Sequence, residues 1–195
     1  MLEVPELGYK PTIGEIVRRA AAEWPDKDFV VMPHARLTFA TAERESRAFA
    51  KRLLAAGLGK GSRVAIYDTY SIEWVIAWLG ATRIGCLVMP FSSIYRPAEL
   101  ATVLRVGDVH TLLAPASILG RPVGPQLEQA LPGLNASPPA LRLRAAPFLR
   151  EIWMWGDQVP SWAVSVRFDD RTDTGIDDAL FDAVEEGSFL PTWPR

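Results

Sequence analysis

The chain has 195 residues, of which 49% are hydrophobic and 23% are charged, and its formal net charge is −2. This balance is typical of a folded globular protein and excludes an intrinsically disordered chain. The charge also argues against a nucleic-acid-binding protein, which needs a basic surface to neutralise phosphates.

One cysteine, Cys86, is present, so no disulfide can form within the chain and a reducing compartment is expected. No apolar run has the length of a membrane span, and residues 1–10 lack the apolar core of a secretory signal. These features predict a cytoplasmic protein without a membrane span. Cys86 falls in a predicted buried strand, where a core residue is favoured over a reactive thiol.

The first predicted elements are a helix, a hairpin and a longer helix. Thr12 and Glu15 have the capping-box spacing that begins a helix. Residues 29–32 and 36–39 are short strands that can pair as a hairpin. An amphipathic helix follows and ends near Gly57, a residue that suits a left-handed helix cap.

Residues 60–114 organise the rest of the chain. The predicted order is strand, helix, strand, helix, strand, with strands at 63–67, 86–89 and 109–114 and helices at 71–85 and 97–106. Apolar strands that alternate with helices pair in parallel, and their crossovers are right-handed. The sequence therefore predicts an α/β fold with a partial, mostly parallel sheet and flanking helices.

The composition changes after residue 114. Residues 115–147 contain seven prolines and three glycines, which indicates a connection at the surface or a partly mobile segment. At most a short helix is predicted there, at 126–131. Further strands are predicted at 149–155 and, more weakly, at 162–168, and a last helix at 176–186.

These elements predict one partial domain over residues 1–195. Its parts are a compact α/β core at about 12–114, a proline-rich connection at 115–147, and a tail of strand and helix at 148–195. No internal repeat and no low-complexity tract divides the chain further.

The most glycine-rich stretch, residues 57–61, does not have the layout of a phosphate-binding loop. Such a loop places its glycines after a strand and before a helix, so that helix amides point at the anion. Here the glycines follow a helix and precede a strand. A helix cap and a turn are therefore predicted.

Neither a metal site nor a catalytic triad is predicted. The two histidines, His34 and His110, lie in separate segments and have no partner at ligand spacing. A calcium loop that starts at Asp170 is excluded, because Phe181 stands where a bidentate glutamate is required. The acidic run at 169–186 is interpreted as a solvated loop and helix start.

The seven tryptophans allow two interpretations. Trp74 and Trp78 are four residues apart on one helix, so their rings are expected to stack on one face. A ligand cage is one reading of this set, and core packing is the favoured one.

Four segments of the core occur in the order found in one family. They read GSRVA at 61–65, SIEW at 71–74, LGATRIGCLVMP at 79–90 and RPAEL at 96–100. They resemble G-D-R-V-A, S-P-E-W, L-G-A-x-x-A-G-A-V-x-V-P and x-P-A-E-L of the adenylate-forming ligases, the AMP-dependent acyl-CoA synthetases. The resemblance covers residues 12 to about 134 well and the remainder loosely.

The resemblance implies a parent reaction in which a carboxylic or fatty acid, ATP and CoA give acyl-CoA, AMP and pyrophosphate. Medium- or long-chain fatty acids, or a related bulky acid, are the expected substrates. For the parent family the resemblance implies ATP, Mg²⁺ and CoA; none of them is expected for this chain alone.

The family's chemical motifs are absent from this sequence. Neither the phosphate loop S/T-S/T-G-T-T-G-x-P-K-G nor the later Y-G-x-T-E segment occurs in residues 1–195. In the family, the phosphate loop would follow soon after the position of Arg195. No catalytic, cofactor-binding or metal-binding residue is therefore assigned, and the chain alone is predicted to be inactive.

Three origins of such a chain stay open at this point: a truncated product, half of a split enzyme with a separately encoded C-terminal part, or a stand-alone module. The alternative function is a doubly wound nucleotide- or cofactor-binding or interaction module with its ligand beyond the carboxyl ends of the strands. In that alternative, the hydroxyls of Ser92 and Ser93 are candidate donors to an anion.

Overall fold

A computed structural model describes residues 8–136, 141–170 and 173–188. In these residues the helices are α1 (Ile13–Glu23), α2 (Phe39–Ala55), α3 (Ile72–Arg83), α4 (Pro97–Val106), α5 (Gly124–Ala130) and α6 (Asp178–Ser188). The strands are β1 (Asp28–Met32), β2 (Ala35–Thr38), β3 (Arg63–Tyr67), β4 (Leu87–Phe91), β5 (Thr111–Pro115), β6 (Ser117–Ile118), β7 (Arg121–Pro122), β8 (Glu151–Trp155) and β9 (Val164–Ser165). The end of the predicted tail, residues 189–195, lies outside the described residues.

The main sheet has five strands in the order β4-β3-β5-β8-β9, and every neighbouring pair in it is parallel. Strands β1 and β2 form a separate antiparallel hairpin, as the sequence predicts. The predicted fold class, an α/β architecture with a mostly parallel sheet and flanking helices, is therefore confirmed.

The sheet is covered on both faces because the chain reverses direction after β4. It steps from β3 to β4 on one side, then returns past β3 to β5 on the other. Since both crossovers are expected to be right-handed, the reversal places α3 and α4 on opposite faces. Along β3, Val64 and Ile66 pack with residues of α2 and α3, whereas Ala65 and Tyr67 pack with residues of α4 and α5.

Residues 115–147 were expected to form a connection at the surface or a partly mobile segment, but the described residues among them contribute to the core on the α4 side. Their buried apolar side chains are Ile118, Val123, Leu127, Ala130, Leu131, Leu134, Leu141, Leu143 and Ala146. Two of the prolines are compatible with this packing, because Pro122 lies in a two-residue strand and Pro125 lies in the first turn of α5. The segment thus holds β6, β7, α5 and a 3₁₀ turn at Leu134–Ala136.

Local signals in the sequence account for the ends of the helices. The Thr12 hydroxyl accepts from the Glu15 amide at 3.1 Å, and the Ser71 hydroxyl accepts from the Trp74 amide at 2.9 Å. Gly57 ends α2 with a φ of 81°, and Gly61 has a φ of 84°. The glycine-rich stretch is therefore a helix cap and turn, as predicted.

The cysteine, the tryptophan pair and one histidine that the sequence analysis assigned to packing or structural roles make structural contacts. Cys86 is buried, and its burial raises the pKa of the thiol to about 12, so the reactive thiolate is strongly disfavoured. The rings of Trp74 and Trp78 are stacked, with centroids 6.4 Å apart and an angle of 4° between their planes. His110 Nδ1 accepts from the Arg63 amide at 3.4 Å.

The acidic run at the end of the chain corrects one prediction. Residues 169–186 were interpreted as a solvated loop and helix start, yet Glu185 is only 4% exposed. Its carboxylate lies 2.8 Å from the guanidinium of Arg83, whose side chain is fully buried and which also pairs with Glu43. The prediction was wrong because the side of α6 that carries Glu185 faces α1, α2 and α3.

Candidate functional site

The carboxyl ends of β3, β4 and β5 lie at one edge of the sheet, because the three strands are parallel. After β3 the chain moves toward β4, and after β5 it moves toward β8 on the other side. Open α/β sheets bind ligands in the crevice that such a change of direction creates. The candidate site is therefore sought among the loops after these strands.

A cavity of about 630 Å³ lies at this edge. One wall is the loop from β4 into α4, and the other is the β6–β7 hairpin together with α5. The lining residues are Ser93, Ile94, Tyr95, Arg96, Pro97, Ile118, Leu119, Arg121, Pro122, Gln126 and Gln129. We call this cavity the edge groove; its size is within the usual range of a small-molecule site.

Hydrogen bonds join the two walls of the edge groove. The Tyr67 hydroxyl, at the end of β3, donates to Gln126 Oε1 at 3.0 Å. The Gln126 amide donates in turn to the Tyr95 carbonyl at 2.6 Å. Burial raises the pKa of Tyr67, so its hydroxyl stays protonated and remains a donor. These bonds join residues that are far apart in sequence, and they fix the loop after β4 against α5.

The edge groove carries positive charge. Arg96 and Arg121 stand on opposite walls, both are exposed, and no aspartate or glutamate is among the lining residues. The N-terminal end of α4 also lies beside the groove, and there the Glu99 carboxylate accepts from the Arg96 amide at 2.7 Å. Guanidinium groups bind phosphates with paired hydrogen bonds. The groove is therefore suited to a ligand that carries phosphate groups.

Apolar side chains stand at the rim of the same groove. Ile94 and Leu119 are each 86% exposed, one on each wall. Leu119 and Gly120 form the tip of the β6–β7 hairpin, and both have positive φ angles, 49° and 75°. A leucine in this left-handed region is uncommon and strained. Together with the arginines, these side chains offer contacts for a ligand with an apolar or planar part beside its phosphates.

A second cavity, of about 420 Å³, lies on the other side of Ser93. It contains Asp68, whose carboxylate accepts from the Thr69 amide at 2.6 Å and the Ser71 hydroxyl at 2.5 Å. Burial raises the pKa of Asp68, and these hydrogen bonds oppose that rise. Asp68 is thus held by the start of α3, and its contacts are those of a loop-fixing residue.

Within residues 8–136, 141–170 and 173–188, no group of three histidine, cysteine, aspartate or glutamate side chains could hold a metal ion. Across the same residues, no helix is both long enough and apolar enough to cross a bilayer. The edge groove can bind and orient an anionic ligand, but it contains no nucleophile paired with a base.

The sequence assigned no catalytic, cofactor-binding or metal residue, and that assignment stays a prediction. Ser92 and Ser93 were named as possible anion donors, and Ser93 does line the edge groove. Arg96 was quoted only as part of a motif, and Arg121 was not singled out. The signal that joins them is an arginine in the loop after each of two strands, and it becomes visible only when the strand order is known.

A family model described as "AMP-binding enzyme" matches residues 17–176. The chain belongs to this family. The match includes the whole five-stranded sheet and both walls of the edge groove, and it stops just before α6. The resemblance in the core segments is therefore confirmed, and this part of the chain is an AMP-binding domain like that of acyl-CoA ligases.

The curated relatives are acyl-CoA ligases of greater length. The Bacillus subtilis (strain 168) protein YngI, named as an acyl-CoA synthetase, is 30% identical over 150 residues, which are 75% of this chain and 27% of that protein. The mitochondrial medium-chain acyl-CoA ligase ACSF2 of Mus musculus is 30% identical over 144 residues, 72% of this chain and 23% of the relative. The chain spans about a quarter of the length of these relatives.

Solved structures show the same fold. The anthranilate CoA ligase AuaEII in complex with anthranoyl-AMP matches with a TM-score of 0.65 at 17% identity, over 90% of this chain and 28% of that chain. The N-terminal domain of FACL13 from Mycobacterium tuberculosis matches with a TM-score of 0.60 at 23% identity, over 75% of this chain and 33% of that chain. At these identities the likeness concerns the fold alone.

Proposed function

We propose that this chain supplies the N-terminal part of an AMP-forming acyl-CoA ligase. The proposed reaction of the complete enzyme joins a carboxylic or fatty acid to CoA with ATP, and releases AMP and pyrophosphate. The observation that carries the proposal is the family match over residues 17–176, which spans the sheet and the edge groove. The groove would contact a phosphate-bearing substrate, either ATP or CoA.

The proposal includes a second polypeptide part that carries the triphosphate-binding loop. Activation of a carboxylate requires donors that converge on the triphosphate, and Mg²⁺ to neutralise its charge. The sequence has no glycine- and threonine-rich run with a lysine. ATP, Mg²⁺ and CoA would therefore react on the assembled enzyme, with Arg96 and Arg121 as binding residues and no catalytic residue from this chain.

ATP–pyrophosphate exchange tests this proposal directly. The purified chain should give no exchange with octanoate, palmitate or benzoate. Exchange should begin when a separate polypeptide is added that contains the remaining length of an acyl-CoA ligase, including the phosphate loop. Exchange by the chain alone would contradict the proposal, and so would a stably bound second part that restores none.

The edge groove has its own test. Arg96→Gln and Arg121→Gln should each weaken the binding of CoA or ATP by about ten- to a hundredfold, because a hydrogen bond to a charged group contributes about 1.5–3 kcal/mol. Arg105→Gln is the matched control, since Arg105 is an exposed arginine of α4 outside the groove. Titration calorimetry on the assembled enzyme measures the affinity of each variant for CoA and for ATP. Equal affinities for all three variants would remove the groove from the proposal.

The second candidate is a stand-alone nucleotide-binding module, and the positive edge groove favours it. A module of this kind would bind ATP, AMP or CoA without any second part, and tryptophan emission would report the titration. It would also behave as a monomer with one cooperative melt. An unfinished ligase would instead expose apolar surface, bind a hydrophobic dye and aggregate.

A further inference from the structure

Helix α6 is attached to the protein differently from the helices of the sheet. Its residues include four acidic side chains and no basic one; the acidic residues are Asp178, Asp182, Glu185 and Glu186. All four make ion pairs with side chains outside the helix. The helix also lies beyond the part of the chain that the family model matches.

The surface under α6 is basic, and the pairs are close. Arg47 lies 3.0 Å from Asp178 and 2.8 Å from Asp182, and Lys51 lies 2.8 Å from Asp178. These two bases belong to α2. We call the surface that α6 covers the basic seat.

Two further elements complete the basic seat. Lys10, before α1, pairs with Glu186 at 2.7 Å. Glu185 is 2.8 Å from Arg83 of α3 and 3.4 Å from Arg18 of α1. Every one of these contacts joins an acid of α6 to a base outside that helix.

The apolar contact of α6 is limited to a few side chains: Phe181 belongs to the core on the α2–α3 face of the sheet, and Val184 packs partly buried against that core. Phe181 is the single apolar side chain of α6 that is fully buried, and the guanidinium of Arg47 lies 4.4 Å from its ring centroid. Leu180 is 49% exposed. In contrast, β3 and β5 are buried along almost their whole length. Most of the pairs that hold α6 also reach solvent, where dissolved salt weakens them.

We propose that α6 is a releasable strap, held on the basic seat by ion pairs around a small apolar contact, which detaches at high ionic strength while the sheet stays folded. Arg83, Arg47 and Phe181 then become accessible to solvent, so release converts a closed face of α1, α2 and α3 into an open basic one. This inference does not depend on the proposed ligase function, because it concerns the attachment of α6 alone.

Hydrogen exchange read by mass spectrometry on the full chain tests the proposal. At 1 M NaCl, the amides of α6 should exchange about tenfold faster than at 0.05 M, whereas the amides of β3 and β5 should be unchanged, because local openings have their own free energies. If α6 and the sheet lose protection together, or if salt leaves α6 unchanged, the proposal is wrong.

Two variants identify charge as the cause. Arg47→Gln combined with Lys51→Gln should raise the exchange of α6 at low salt and reduce its response to added salt. Arg44→Gln is the matched control on the same helix, since Arg44 pairs with its neighbour Glu45 at 3.0 Å. If the control loosens α6 as much as the double variant, or if the double variant keeps the full salt response, charge is not what holds the strap.

Discussion

The sheet core and the basic seat under α6 are both well packed, but different forces hold them. In the sheet core, continuous apolar strands are covered on two faces, and the burial of apolar surface supplies the stabilisation. In the seat, Phe181, the partly buried Val184 and a set of ion pairs hold the helix. The comparison teaches that the first region should respond to changes of volume and the second to changes of charge.

The largest expected effect is the removal of a core side chain. Phe49→Ala should lower the free energy of unfolding by about 3–5 kcal/mol, because the fully buried ring leaves a cavity. The ring contacts Trp153 and Phe168, with centroids 6.2 and 5.0 Å away. Urea unfolding followed by tryptophan emission measures the loss. Arg44→Ala, at an exposed site of the same helix, should change it by less than about 0.5 kcal/mol.

A charge deletion beneath α6 should have the next largest effect. Arg83→Met leaves Glu43 and Glu185 without their buried partner, which should cost about 3 kcal/mol. Adding Glu43→Gln and Glu185→Gln to the same chain should recover most of that loss. If the triple variant is no more stable than Arg83→Met in urea unfolding, the uncompensated carboxylates are not the cause.

The same substitution, glycine to alanine, can be made in both regions, at Gly80 in the sheet core and at Gly14 beneath α6. At Gly80, a new Cβ would lie 2.9 Å from a ring carbon of Phe49 and 3.1 Å from the Ser46 backbone oxygen. At Gly14, it would lie 2.0 Å from the end of the Glu185 side chain.

Gly80→Ala should therefore destabilise the whole fold by about 1–3 kcal/mol. Gly14→Ala should speed exchange in α6 while its effect on global unfolding stays below about 1 kcal/mol, because α1 gains helix propensity. Hydrogen exchange and urea unfolding, run on both variants, separate the two results. Equal global losses would show that the two regions do not differ in this way.

The smallest expected effect is a pH dependence from Glu185. Burial raises the pKa of this carboxyl above its ordinary value of 4.5; Arg83, Arg18 and Arg47 oppose the rise, and Glu43 adds to it. A raised pKa means that the folded protein holds the proton more tightly than the unfolded one. The contribution of Glu185 to stability is therefore full below pH 4.5 and is lost as the pH rises through the raised value.

Glu185→Gln checks this sign. Relative to the variant, the natural chain should lose stability as the pH rises from about 4.5 and then level off once Glu185 is ionised. Asp178 and Glu186 act in the opposite direction, because Lys51 and Lys10 hold the pKa values of their carboxyls below the ordinary range. A stability difference that does not vary with pH would contradict the raised pKa of Glu185.

Local patterns in the sequence were sufficient for the sheet. The strand at 63–67 is found where it was predicted. Thr12 and Ser71 cap the starts of α1 and α3, and Gly57 follows the end of α2. These features depend on residues a few positions apart, so one stretch of sequence contains the whole signal. Elsewhere, strand boundaries moved by one to three residues, and the largest shift is the end of the weakly predicted strand at 162–168.

Contacts between distant residues were not predictable in the same way. Arg83 and Glu185 are 102 positions apart, and nothing near Glu185 distinguishes it from its exposed neighbour Glu186. The edge groove likewise needs the loop after β4 and the hairpin after β5 to meet, which follows from the strand order. Residues 115–147 were misread because proline content suggests exposure, although Pro115 ends the buried strand β5 and Pro125 lies in the first turn of α5, which packs on the core.

The reversal of chain direction after β4 also has a consequence for the order of folding. Strands β4, β3 and β5 are neighbours in the sheet, and all three come from one continuous stretch of the chain, residues 63–115. Early closure of short loops is kinetically favoured, so this trio is expected to form the folding nucleus and α6 to dock last. In stopped-flow measurements, Leu112→Ala should therefore slow refolding, whereas Phe181→Leu should mainly accelerate unfolding.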